Sequence, residues 1–216
     1  MNKELDAVAG EVAVDIAKQV ADPVRALRDR LGLVVDHLER HVATSTGPTP
    51  YPWRGLQALR QDLAAAYLEA THLARRLDEL DRALRDEPLG LIDVGAAVDL
   101  GLRLANHHVG TAVELICDLG EAPPARGNGG SLALVVAQMI GACARSARAV
   151  AGSSLSVRVA ADADAAVIAI ADNGGGDDAV PAVGDLARAI VGPWGATVDA
   201  ASAPGRGCAF ELRFPP

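Results

Sequence analysis

Residues 166–178, AVIAIADNGGGDD, carry an apolar strand pattern straight into an acid, an amide and three glycines. The chemistry this allows is recognition. Asp172, held at the end of a buried strand, can accept hydrogen bonds at the floor of a pocket. Gly174 and Gly176 let the backbone fold closely around whatever sits there. A second reading stands beside it, because Asn-Gly after a strand is also a common hairpin signal.

Other residue types invite chemistry and mostly lose it on spacing. His37 and His41 are four apart and share a helix face, but no Cys or further carboxylate is placed to complete a metal site, so a solvated face is the simpler reading. His107 and His108 follow a helical stretch, where imidazoles suit exposed carbonyls and the helix dipole. His72 falls inside a helix. There is no Gly-x-x-x-x-Gly-Lys loop and no serine nucleophile motif. GNGGSLAL reads as a loop with Ser131 as helix N-cap. Lys18, on a strongly apolar helix, is either a desolvated amine or an ordinary solvated lysine. Cys117, Cys143 and Cys208 lack metal-ligand spacing and read as small core residues of a protein in a reducing cytoplasm.

The 216 residues carry a formal net charge of −8 and no Lys/Arg run, which excludes broad phosphate-backbone binding and hence a nucleic-acid partner. Half of the residues are hydrophobic and 3% are aromatic, so the core must be built from Leu, Val, Ile and Ala. The first residues carry acids within their apolar pattern and do not read as a signal peptide. No apolar run reaches the roughly 18–20 residues that a bilayer requires, so no membrane contact is expected.

Two kinds of element must position these residues. From Leu5 to Val42 apolar residues recur every three or four positions, the mark of one long helix, with Pro23 bending it. ATSTGPTPYPWRG is a loop, and a second stripe runs from Leu56 to Leu84. Two helices with narrow seams form an antiparallel hairpin, and a second copy completes a homodimeric four-helix bundle. After Pro88 the pattern changes. Helices are expected at 94–104, 131–150 and 184–191, and strands at TAVELICDL, SLSVRVAAD, AAVIAIAD, ATVDAAS and GCAFELRF, with APPARGNGG a loop. The fold class is therefore α+β, with a helical hairpin over 1–87 and an α/β sandwich over 88–216.

This order of pieces resembles the sensor histidine kinases of two-component signalling. Asp172, Gly174 and Gly176 match the adenine-holding box of that family's Bergerat-type ATPase sandwich. ATVDAASAPGRGCAFELRFPP is similar to its closing strand pair, and EAPPARGNGGSLALVVAQMI to its approach to the ATP-binding helix. The resemblance also exposes departures. Aligning the phosphoacceptor box on AKQVADPV puts Lys18 in place of the histidine and Gln19 in place of the acid, with Asp22 before the matching Pro23. An ammonium cannot offer a neutral nitrogen to a phosphate, and an amide cannot serve as general base. Where the family has metal-holding asparagines, this chain has Gln138 and Ala142. The ATP lid shrinks to nine residues, and Asp185 and Ala187 stand where its second glycine box has glycines.

What the resemblance implies is a cytoplasmic pseudokinase without cofactor, ATP and Mg²⁺ included. Its homodimeric bundle would dock a response-regulator receiver domain or a partner histidine kinase through Lys18, Gln19, Asp22, Pro23, Arg25 and Arg28. Three alternatives remain open at this point. One is a histidine phosphotransferase using His37, His41 or His72. The others are a regulator binding a nucleotide or other ligand in the remnant pocket, and a purely structural dimerisation module.

Overall fold

The computed structural model describes residues 26, 27, 29, 31–36, 40, 60–68, 70–72, 74, 75, 89–110 and 113–216. Lys18, Gln19, Asp22, Pro23, Arg25, Arg28, His37 and His41 lie outside the described residues, as does the side chain of His107. The chain divides into two compact units, 1–78 and 79–216.

In the first unit, residues 31–36, 60–68 and 70–72 are helical and fall within the two predicted stripes. Val34 and Ala66 are buried, whereas the seam residues Leu31, Leu63 and Tyr67 are exposed.

The second unit runs β1 (Gly90–Ile92), α1 (Val94–Val109), β2 (Glu114–Leu119), β3 (Ala125–Gly127), α2 (Gly129–Arg148), β4 (Ser154–Asp162), β5 (Ala165–Asp172), α3 (Val180–Val191), a 3₁₀ turn (Gly192–Trp194), β6 (Thr197–Ala203) and β7 (Gly207–Phe214). Five strands form one sheet in the order β2-β4-β5-β7-β6, and β1 pairs with β3 in a small separate sheet. Among the described strands only β2 and β4 pair in parallel. A parallel pair needs a long crossover, and α2 supplies it.

Alternation explains the sheet. Ile168, Ile170 and Asp172 on β5, and Cys208, Phe210, Leu212 and Phe214 on β7, are all buried. Period two places each set on one face of its strand. That face packs under α2, in which thirteen of twenty residues are buried. At about 1.5–3 kcal/mol for each large side chain fully removed from water, Phe210, Phe214, Leu132 and Ile140 anchor this layer. The opposite face mixes small apolar residues with charged ones and carries the ion pairs Arg213–Asp162 and Arg158–Asp118.

α2 is long and apolar enough to cross a membrane, but 72% of its most apolar window is buried against the rest of the unit, so its apolar face is spent on the core. α1 crosses α2 closely at Gly101, where a methyl group would meet Val136 Cγ1 at 2.7 Å and the Ala133 carbonyl at 2.8 Å.

Four local expectations are corrected. APPARGNGG is not all loop, since β3 lies within it. α2 begins at Gly129, and its N-cap is Asn128, whose Oδ1 accepts from Ser131 N at 2.8 Å, so Ser131 is not the cap. α3 starts at Val180, four residues earlier than Gly184, because Pro181 sits in its first turn, where a missing N–H costs nothing. Cys117 is exposed on an edge strand and is not a core residue.

Candidate functional site

Asp172 is the last residue of β5, in phase with Ile168 and Ile170, and its side chain therefore turns inward toward α2. The residue is only 8% exposed. Three donors of the fold converge on it. Ser146 Oγ, from the last turn of α2, donates to Oδ1 at 2.6 Å. The Gly174 amide donates to Oδ1 at 2.7 Å, and the Cys208 amide, at the start of β7, donates to Oδ2 at 3.0 Å. Cys143 stands beside the same group. Burial pushes its thiol pKa well above the ordinary value, and the negative charge of Asp172 adds to the effect.

Ser146 joins both sides of the site. Its hydroxyl, while donating to Asp172, accepts from the Gly176 amide at 2.9 Å, and its carbonyl accepts from Gly175 N at 3.0 Å. The turn 173–176 is thereby stapled to the end of α2. The glycines follow from this contact. A methyl group on Gly174 would lie 2.2 Å from the Ser146 carbonyl oxygen, and one on Gly207 would lie 2.0 Å from the Asp172 carbonyl oxygen. Gly176 and Gly207 also have φ of 89° and 78°, a region that side chains disfavour. Asn173 completes the turn by accepting from Ser154 N at 2.8 Å.

The segment after the glycines closes on the same helix. Asp177 pairs with Arg145 of α2 at 2.9 Å and accepts from Ala179 N at 2.8 Å just ahead of α3. Asp178 and Asp185 are exposed. Gln138, Ala142 and Ser146 are spaced by four on α2 and share one face. Gln138 is half-buried, and Ala142 is completely buried. Among the described residues no group of three or more His, Cys, Asp or Glu side chains is placed to hold a metal ion.

A cleft of about 710 Å³ opens at the opposite end of the sheet. Asp172 lies across from Leu155, beside Ser154, which pairs with Glu114. The cleft instead begins where β2 ends, at Leu119 and Gly120, and is completed by the first turns of α1.

No protein-family model matches the chain, and no curated protein does. Solved structures it is similar to include histidine kinase domains. The histidine kinase domain of the Erythrobacter litoralis EL346 blue-light activated histidine kinase is 15% identical, with 88% of this chain and 94% of that one covered and a TM-score of 0.49. The cytoplasmic segment of histidine kinase QseC is 20% identical over 67% of this chain and 91% of that one, with a TM-score of 0.47. The ATP binding domain of PrrB from Mycobacterium tuberculosis is 19% identical over 60% and 98%, with a TM-score of 0.46.

Of the residues singled out in the sequence, Asp172, Gly174 and Gly176 come together in one turn, facing the α2 face that carries Gln138 and Ala142. Sequence reading missed Ser146 and the amide of Cys208. Ser146 had a signal, as the hydroxyl one helical turn beyond Ala142 in an otherwise apolar stripe. The amide of Cys208 had none.

Proposed function

We propose that this chain is a cytoplasmic, histidine-kinase-like protein of two-component signalling that neither binds Mg²⁺–ATP nor transfers phosphate. It acts by docking a response-regulator receiver domain or a partner kinase on a homodimeric helical bundle. The observation that carries the reading is the carboxylate of Asp172, which is spent inside the fold. A carboxylate has about four acceptor positions. Three are filled at 2.6–3.0 Å by Ser146, Gly174 and Cys208, and the Cys143 thiol crowds the remainder. An adenine amino group arriving there finds at most one acceptor position, beside a buried thiol.

The rest of the site supports the same conclusion. A buried methyl at Ala142 supplies no oxygen for a metal. Where phosphates would need donors, the segment offers the carboxylates of Asp177, Asp178 and Asp185, of which Asp177 is paired with Arg145 and Asp185 with Arg188. Like charges there repel a triphosphate. The residues present do not fit Mg²⁺–ATP.

Leu31, Leu63 and Tyr67 support the dimer, because these seam positions are exposed in a single chain and a second copy would cover them. On the docking surface, Lys18 would present a cation to the acidic pocket of a receiver without accepting phosphate. Purified receiver domains titrated against the chain test this. Binding that weakens at least tenfold in Lys18→Ala is expected, and binding indifferent to that substitution refutes the mimicry. A phosphotransferase reading draws on one observation, the exposure of His72 on its helix. Phosphate moving from a phosphorylated receiver to the wild-type chain but not to His72→Ala would replace the inactive reading with that one.

A further inference from the structure

β2 occupies one end of the five-stranded sheet, with β4 on one side and, among the described residues, no strand on the other. All six of its residues are exposed. The ladder dictates which backbone groups face outward. Glu114 N donates to Ser153 O at 3.3 Å and Gly120 N to Val159 O at 2.9 Å, so the even-numbered amides face β4. Alternation then turns the N–H and C=O groups of Leu115, Cys117 and Leu119 away from the sheet, where they need partners. The side chains of these residues stand on the core side, opposite buried Leu155, Val157 and Val159. Leu115 and Leu119 nevertheless remain 38% and 39% exposed, because among the described residues no strand lies beyond them.

The edge leads into the cleft described above. Leu91, Ile92 and Pro124 give it an apolar lining, and Asp93, Asp99 and Glu121 give it three carboxylates with no basic side chain in its wall. Arg103 offsets Asp99, and Asp93 gives one oxygen to the cap of α1, but Glu121 is exposed. Unpaired strand edges are sites of pairing with another chain unless charge or shape prevents it.

We propose that β2 accepts an extended segment of a partner protein as an added strand, with apolar side chains over Leu115 and Leu119 and a lysine or arginine seated in the acidic cleft. Charge selects the occupant. A second copy of β2, with the sequence ELICDL, brings two carboxylates and no base, and so cannot fill the cleft.

The test uses the full chain and three synthetic octapeptides. One alternates Val and Lys, the second has the same composition as four Val followed by four Lys, and the third alternates Val and Glu. The alternating Val/Lys peptide should bind at least tenfold more tightly than either of the others and slow amide exchange at Leu115, Cys117 and Leu119. Cys117→Pro removes an outward N–H and no bond to β4, so it should abolish binding, whereas Cys117→Ser should keep it. Glu121→Lys should weaken binding at least fivefold, which keeps the test decisive should the proline variant unfold. Equal binding of the block peptide, absence of binding, or binding without protection of those three amides overturns the proposal. So does self-association that Cys117→Pro abolishes, since a second copy would then be the occupant.

Discussion

Replacing Asp172 by alanine removes the acceptor for three donors at 2.6, 2.7 and 3.0 Å in a site that is 8% exposed. Hydrogen bonds to a charged group contribute about 1.5–3 kcal/mol each, and a buried donor left without a partner costs about 1–3 kcal/mol. Simple addition overshoots. The Ser146 hydroxyl can rotate to another acceptor, water can enter the space, and the desolvation of the carboxylate is recovered. The expected loss is therefore about 3–5 kcal/mol, a large share of the roughly 5–15 kcal/mol that holds a domain folded. Asp172→Asn keeps one acceptor but turns an amide N–H₂ toward the donors, and about 1–3 kcal/mol is expected. Urea unfolding of the full chain, followed by circular dichroism and compared at unchanged m-value, measures both. A loss under about 1 kcal/mol for the alanine variant would refute the reasoning, for the carboxylate would then be idle in the fold and free for a ligand.

Gly207→Ala, whose methyl would lie 2.0 Å from the Asp172 carbonyl oxygen, should prevent the unit from folding stably. Gly205→Ala, at φ 71° with nothing within 4 Å, should cost only about 1 kcal/mol of backbone strain, and paired thermal melts compare the two. Ser146→Ala deletes the staple between α2 and the glycine turn, and should speed hydrogen exchange at the Gly176 amide while α2 keeps its protection. The buried Cys143 thiol should resist alkylation while exposed Cys117 reacts. An unfolded thiol ionises from its ordinary value of 9.0, whereas the folded Cys143 holds its proton. Stability should therefore be unaffected by this thiol below that pH and fall above it by about 1.4 kcal/mol per pH unit, and Cys143→Ala should reduce the slope.

The sandwich was legible wherever periodicity was long enough to speak. Ile168 and Ile170 on β5, the run from Cys208 to Phe214, and the apolar stripe of α2 each announce their element and its buried face. The three-residue strands β1 and β3 carry no period and were invisible. The sequence places the start of α3 at Gly184, yet the helix already includes Pro181, because a proline ring is harmless in a first turn. Cys117 looks like a core residue in ELICDL and is exposed only because β2 ends the sheet, a fact of topology that no local pattern contains. At the site, Asp172 and its glycines could be named from the sequence. What the carboxylate does could not, since its bonds to Ser146 and Cys208 span 26 and 36 residues and depend on the packing of α2 and β7 against β5.

Calorimetric titration of the full-length protein with a non-hydrolysable ATP analogue and Mg²⁺ tests the central claim most directly. An Asp172 carboxylate engaged by three donors of its own fold predicts no saturable heat and no rise in melting temperature at millimolar nucleotide. Micromolar binding at one site per chain, lost on Asp172→Asn in a variant that remains folded, would contradict it.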